Sequence, residues 1–249
     1  IEPARREITK IFIDRIIHAK GLGAVQEMAS SKVIPTPRAV MNGCELLSRG
    51  TEQTEGIGEL MAIDIGGATT DVYSMSDGTP TLSNVLVKGL PEPYAKRSVE
   101  GDLGMRYGLG SLIEAANMQK ISRAAGIPGE EIKRWASDCM ESPQLLATPE
   151  SREQSMEEAL AGEAARIATE RHCGTWETVY TPLGQVFALT GKDLSDVPLV
   201  IGIGGVIVNS NRPEHILEGV KVENNAHEFA KPKNPRFKVD KRYIFGAMG

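Results

Sequence analysis

Apolar positions near the start of the chain recur at helical spacing. Ile8, Ile11, Phe12, Ile16 and Ala19 share one face of a helix expected over residues 4–20, closed by Gly21 and Gly23. Thr36-Pro37 reads as an N-cap followed by a proline in the first turn. A second helix is therefore expected from Arg38 to Ser48, with Gly50 as its stop. Thr51 to Gly58 is polar and reads as a linker. The period then shortens. Leu60 to Gly66 and Thr69 to Met75 read as buried strands, Ser76-Asp77-Gly78 as a hairpin turn, and Leu82 to Val87 as a third strand.

Pro91 and Pro93 interrupt this pattern, and Val99-Glu100-Gly101-Asp102-Leu103-Gly104 reads as a loop opening a helix from Leu103 to Gln119. Pro128-Gly129-Glu130-Glu131 starts a helix through Cys139. Thr148-Pro149-Glu150 starts a longer one to His172, rich in Ala and Glu, with its charges expected on a solvated face. Leu199 to Gly202 reads as a short buried strand running into Gly204-Gly205 and a helix or turn. Pro213 to Leu217 follows as a short helix, Asn224 to Pro235 as a polar loop, and Asp240 as the cap of a final helix. Helices, antiparallel strands, helices again and one more strand give a mixed α/β sheet with a helical insertion.

Composition narrows the class. The chain has 249 residues, a formal net charge of -5 and 41% hydrophobic residues, enough for one large domain or two lobes. No basic cluster offers a nucleic-acid or membrane surface, and no apolar run approaches the roughly 20 residues that span a bilayer. Cys44, Cys139 and Cys173 are odd in number and far apart, which argues for a reducing, cytoplasmic setting. The neighbours His172-Cys173 read as a helix end, because adjacent side chains seldom reach one metal. His18, His215 and His227 read as surface or helix-end residues, and Trp135 and Trp176 as core anchors. An opening without Met, inside a helical pattern, reads as a piece of a longer protein.

The chemistry concentrates in Met61 to Ser74, MAIDIGGATTDVYS. Gly66 and Gly67 let backbone N–H groups approach phosphate oxygens with no Cβ in the way. Thr69 and Thr70 offer hydroxyls to a terminal phosphate. Asp64 and Asp71 suit Mg²⁺, which prefers oxygen ligands and keeps several waters. Leu199-Val200-Ile201-Gly202-Ile203-Gly204-Gly205 permits a flat ligand to approach the backbone. It is not a dinucleotide fingerprint, because Ile207 stands where the last glycine belongs, and no GxxxxGK[ST] loop occurs.

D-I-G-G-A-T-T-D resembles the second phosphate motif of the actin/heat-shock-protein/sugar-kinase ATPase superfamily. Ile201 to Val206 resembles its adenosine motif, and Pro35 to Leu47 and Asp240 to Gly249 resemble its two crossing connecting helices. Within that superfamily, IPTPRAV, IDIGGATTDVYS and PEPYAKRSVEGDLGMRYG look like the MutL/GlmL family, which is associated with adenosylcobalamin-dependent glutamate mutase and related aminomutases.

The resemblance implies an actin-like ATPase (ribonuclease H-like) fold. Residues 1–57 would end a first lobe with a connecting helix. Residues 58–235 would form the second, nucleotide-binding lobe with a helical insertion at about 103–190, and residues 236–249 would lead back. It implies ATP and Mg²⁺ as cofactors, with Asp64 and Asp71 catalytic and metal-holding. Gly66, Gly67, Thr69, Thr70, Glu100, Gly101, Gly202, Gly204 and Gly205 would hold the nucleotide. Gly246 and Ala247 would pack against Ala39 and Gly43 as a hinge. The superfamily's first phosphate motif is absent, in line with truncation. The implied function is a chaperone or reactivating factor whose partners are the subunits of an adenosylcobalamin-dependent mutase. The alternatives on the same fold are a small-molecule kinase and a nucleotide-binding scaffold that does not hydrolyse.

Overall fold

The computed structural model describes residues 34–182, 184–223 and 228–248, together with Pro3, Ala4, Glu7, Ile8, Ile11 and Arg15. Those six early residues are helical, and the rest of the helix expected over 4–20, with Gly21, Gly23 and His18, lies outside the described residues. So do residues 224–227 of the expected polar loop, His227 among them.

The main sheet is built around the glycine turn. Strand β1 (Leu60–Ile65) pairs antiparallel with β2 (Thr70–Met75), placing Asp64 opposite Asp71 and Ile65 opposite Thr70. β2 pairs antiparallel with β4 (Ala95–Glu100), β1 parallel with β7 (Leu199–Ile203), and β7 parallel with β8 (Arg236–Val239). The order is β4-β2-β1-β7-β8. β1 and β7 read as almost unbroken apolar runs, and β2 is buried along its whole length, because both faces of the sheet are covered.

One face carries Leu60, Ala62, Tyr73, Met75, Ile201 and Ile203. It packs beneath α1 (Thr36–Arg49) and α8 (Phe245–Met248) through Val40, Cys44 and Phe245. The other face carries Met61, Ile63, Ile65, Val72 and Val200. It packs on α5 (Arg152–His172), whose Leu160, Ala161, Ala164, Ala165 and Ala168 are fully buried. Helices α2 (Leu109–Ala115), α3 (Met118–Ala125) and α4 (Gly129–Glu141) join this second core. Short helices α6 (Gly205–Val208) and α7 (Pro213–Leu217) follow β7. A separate three-stranded sheet, ordered β3-β6-β5, comprises β3 (Val85–Lys88), β6 (Gly184–Thr190) and β5 (Thr175–Thr181).

Several expectations need correction. Thr36 does not cap α1: it is the first helical residue, Pro35 precedes it in extended conformation, and no side chain caps the end. Gly50 does end the helix, at φ 82°. The third strand begins at Val85 and leaves the main sheet to pair parallel with β6. The neighbour of β2 is instead β4, whose half-exposed AKRSVE gives no apolar signal.

No helix runs from Leu103. The N–H groups of Met105, Arg106 and Tyr107 bond the carbonyls of Gly66 and Gly67, so the chain stays irregular until Leu109. It breaks again where Asn117 caps α3. The charges of α5 are only partly solvated. Glu158 and Glu163 are buried, held by Ser210 and Arg212 and by Arg166 and the Asn117 N–H. The helical stretch ends at His172, and residues 175–181 and 184–190 form strands. At the α1–α8 contact the packing residue is Phe245, whose Cδ1 would lie 3.2 Å from a Cβ on Gly43, while Gly246 faces Thr36. Asp240 does serve α8, its carboxylate accepting the N–H groups of Ile244 and Phe245 at 2.9 and 3.0 Å.

Candidate functional site

The parallel strands β1, β7 and β8 all end on one side of the main sheet. The glycine turn, Gly204-Gly205 and Asp240 therefore sit together at their carboxyl ends, where open α/β sheets bind ligands. Asp64, Asp71 and Val99 are successive register partners across β1, β2 and β4, and Ile203 partners Asp64 on the other side, so their side chains share one face.

The two carboxylates differ sharply. Asp71 is 6% exposed and engaged at both oxygens: Arg97 donates to Oδ1 from Nε at 2.7 Å and Nη2 at 2.6 Å, and the Thr69 hydroxyl donates to Oδ2 at 3.1 Å. Counting lone pairs, only one on Oδ2 stays open. Asp64 receives no hydrogen bond from any described residue. Burial, then the Asp71 charge, push its carboxyl up to about 6, and Arg97 pulls the other way.

The turn between them closes through the Gly66 N–H, which donates to the Thr69 carbonyl at 2.9 Å. Among the described residues no acceptor takes the N–H groups of Gly67, Ala68 or Thr69. Neither Gly66 nor Gly67 has positive φ, and a Cβ on Gly67 would meet only Arg106 carbons at 3.7 and 3.8 Å. Nothing in the fold demands glycine at 67, so its bare outer face is available to a ligand. Gly204 is different. At φ 96°, its Cβ would stand 2.3 Å from the Ile65 carbonyl and 2.9 Å from Asp64 Oδ1, so only glycine lets β7 close on the Asp64 strand.

The remaining expected site residues divide. The Thr70 hydroxyl is buried and donates to the Leu103 carbonyl at 2.5 Å, which fixes the turn and leaves it turned away from any ligand. Glu100, opposite Thr70 in the sheet, is tied to Arg171, which it shares with Asp102. Gly101 is exposed with open space around it. Gly202 is required by packing, since a Cβ would strike Ile207 Cγ2 at 2.8 Å. Gly205 is exposed, with the Tyr243 hydroxyl 3.9 Å from its would-be Cβ.

Sequence reading missed Arg97, Arg106 and Tyr73. The only signal for Arg97 was its place in strand β4, which went unseen. Arg106 braces the turn from below: its N–H donates to the Gly67 carbonyl and its guanidinium binds Glu157 at 2.6 Å and the Leu145 carbonyl at 2.9 Å. Gly104 lies so close to Ala68 that a Cβ would fall 2.4 Å from its carbonyl carbon. The loop that follows Glu100 and Gly101 is thus the support of the glycine turn. Tyr73 sits one pleat from Asp71 with its hydroxyl buried and unpartnered among the described residues.

Free turn N–H groups, an unengaged carboxylate and a second carboxylate with one open lone pair fit a phosphate carrying a hydrated Mg²⁺. No set of three His, Cys, Asp or Glu side chains gathers around a metal position among the described residues, so a cation would rely on outer-sphere contacts and on the phosphate itself. A separate cleft, lined by Lys88, Glu92, Lys96, Glu170, Arg171 and Cys173, lies beside α5 and the small sheet. Its charges pair with each other or with neighbours, as in Lys96–Glu92, Lys88–Glu177 and Arg171–Asp102. It therefore presents no surplus charge to an anion. No helix among the described residues is long and apolar enough to cross a membrane.

The family model described as MutL protein matches residues 1–249. Protein MutL of Clostridium tetanomorphum is 41% identical over 250 residues, an alignment that covers 100% of this chain and 54% of that protein. The chain therefore spans about half the length of the curated relative it matches. By the whole-length match and this identity, the chain belongs to the MutL protein family.

Proposed function

We propose that this chain forms the phosphate-holding half of an ATP- and Mg²⁺-dependent reactivating factor that serves an adenosylcobalamin-dependent aminomutase of the glutamate mutase type. The observation that carries the nucleotide part is the glycine turn at the carboxyl ends of β1 and β7. It pairs N–H groups that are unpartnered among the described residues with one free and one braced carboxylate. The mutase part rests on the family resemblance alone.

In this reading the N–H groups of Gly67, Ala68 and Thr69 hold phosphate oxygens, and Thr69 keeps Asp71 oriented. Asp64 accepts hydrogen bonds from the cation's water shell and orients the attacking water. Gly204-Gly205 give the nucleoside a surface without side chains. Mg²⁺, when bound, supplies charge neutralisation on the phosphates. The protein's part is positioning, with little covalent work.

The test is phosphate release by the whole protein with Mg²⁺ and ATP, with and without mutase subunits. Release that rises with the mutase supports the reading. ATP binding without release favours the non-hydrolysing scaffold, and phosphate appearing on a small metabolite favours the kinase. Absence of ATP binding by the whole protein overturns all three.

A further inference from the structure

Arg97 is the one cation in contact with the carboxylate pair among the described residues. It reaches Asp71 from β4, two positions before Val99, with both donors on a single oxygen. Its guanidinium carbon also lies 6.0 Å from the Tyr73 ring centre. Its side chain is 33% exposed against 9% for Asp71, so it lies on the solvent side of the pair. Asp64 and Asp71 stand directly opposite in an antiparallel ladder, where like charges repel. Arg97 offsets one of those charges and occupies both lone pairs of Asp71 Oδ1, the positions a free divalent cation would take.

From this geometry we infer that Arg97 is a specificity-determining residue that makes cation binding depend on the nucleotide. With Arg97 in place the trio carries one net negative charge and a single open carboxylate, too little to gather a bare hydrated dication. A cation that arrives on the nucleotide brings its own phosphate oxygens and needs only Asp64 and the open lone pair of Asp71. Without Arg97, the two carboxylates become a site for free divalent ions and the requirement for nucleotide is relaxed. This inference rests on the Mg²⁺-nucleotide reading of the turn and adds a role to a residue outside the glycine motif.

The experiment is a Mn²⁺ titration of the whole protein at pH 8, followed by electron paramagnetic resonance, with and without ATP. Arg97→Met is expected to tighten free Mn²⁺ binding about tenfold, as removing a unit charge about 6 Å from a dication in a water-like dielectric predicts. Arg97→Lys keeps the charge but leaves part of Asp71 Oδ1 open, and is expected to tighten free Mn²⁺ binding by only about two- to threefold. Because Arg97→Met leaves Asp71 without its partner, its far-ultraviolet circular dichroism is recorded alongside. Arg97→Lys alone carries the comparison if Arg97→Met unfolds. Lysine leaves half of Asp71 Oδ1 open, so a small rise for it above the unsubstituted protein then supports the inference and no rise overturns it. With both variants folded, equal free-Mn²⁺ affinity in all three proteins overturns the Arg97 role while Mn²⁺–ATP binding upholds the site. Loss of Mn²⁺ binding in every protein, ATP present or not, overturns the site itself.

Discussion

Strand β2 carries two polar clusters, one on each face, and they are built on opposite principles. On the face shared with α1 and α8, Asp71 meets Arg97 and Thr69, while among the described residues Asp64 receives no hydrogen bond and the Tyr73 hydroxyl has no partner. On the face against α5, Ser74 meets His172, which is 0% exposed and bonds Ser74 through Nε2 at 2.9 Å and Ser98 through Nδ1 at 2.8 Å. Lys192, also buried, donates to Ser74 and to the carbonyls of Pro93 and Tyr94. Lys96 takes the His172 carbonyl and Glu92. A buried network with every member satisfied rigidifies the fold and has nothing left to offer a ligand. The Asp64 side keeps unspent donors and acceptors, which is the mark of a site. Titratable residues alone would rank the His172 cluster higher, and satisfaction reverses that order.

The sharpest way to break the comparison is to remove one group from each face. Asp64→Asn in the whole protein is expected to lower ATP turnover by about 10²- to 10³-fold, as removal of one preorganised charge contact in an active site does. Its secondary-structure signal should be unchanged. His172→Ala is expected to leave turnover of the folded protein within about threefold and to cost roughly 2–4 kcal/mol of stability, through the cavity and the orphaned Ser74 and Ser98 hydroxyls. Turnover assays and urea melts on the two variants check this. An active Asp64→Asn, or an inactive but stable His172→Ala, would exchange the roles assigned to the two faces.

The faces also titrate in opposite directions. The Asp64 carboxyl is raised by burial and by Asp71 from 3.8 to about 6. The folded chain therefore binds that proton more tightly than the unfolded one. The stability this group contributes is fully present below about pH 4 and is lost as pH rises through about 6. His172 is held well below its ordinary value by burial and by Lys96 and Lys192. The unfolded chain binds that proton more tightly, so stability is lost as pH falls below about 6.5. Thermal melts from pH 4 to 8 should show Asp64→Asn gaining about 1 kcal/mol over the unsubstituted chain at pH 8 and nothing at pH 4, the figure reduced for solvent screening. The difference for His172→Gln should run the other way, with its cost smallest at the acid end. Difference curves of the same sign would refute this assignment.

How far the sequence discloses each face follows from where its partners lie. The Asp64 side is largely local. Asp64, the double glycine, Thr69 and Asp71 fall within eight residues, flanked by apolar runs that fix β1 and β2, so turn and carboxylates could be placed from the string alone. Gly204 was legible for the same reason, as a strand running into glycines. The His172 side draws on residues 74, 98, 172 and 192, which no period relates. Arg97 and Arg106 were lost because β4 is half exposed, so it gives no strand signal, and because the 103–108 segment spends its N–H groups on the glycine turn instead of on a helix. Thr70 was misjudged because a hydroxyl in a phosphate-like string looks the same whether it faces a ligand or the Leu103 carbonyl. Local geometry was readable. Long-range satisfaction, which separates site from scaffold, was not.

The smallest expected effect sharpens the outer limit of the site. Gly101 was read as lining the nucleotide, yet it is exposed, its φ is not positive, and a Cβ there would touch nothing within 4 Å. The neighbouring acids Glu100 and Asp102 are tied to Arg171, which draws this loop toward α5 and away from Gly204-Gly205. Gly101→Ala is therefore expected to change stability by less than about 0.5 kcal/mol, in the range of surface substitutions that break no special feature. Its ATP affinity should stay within about twofold, measured by calorimetry on the whole protein. A tenfold loss of affinity would mean that the nucleotide crosses the end of β4 as well as those of β1 and β7. The candidate site would then extend over the edge that Arg171 now closes.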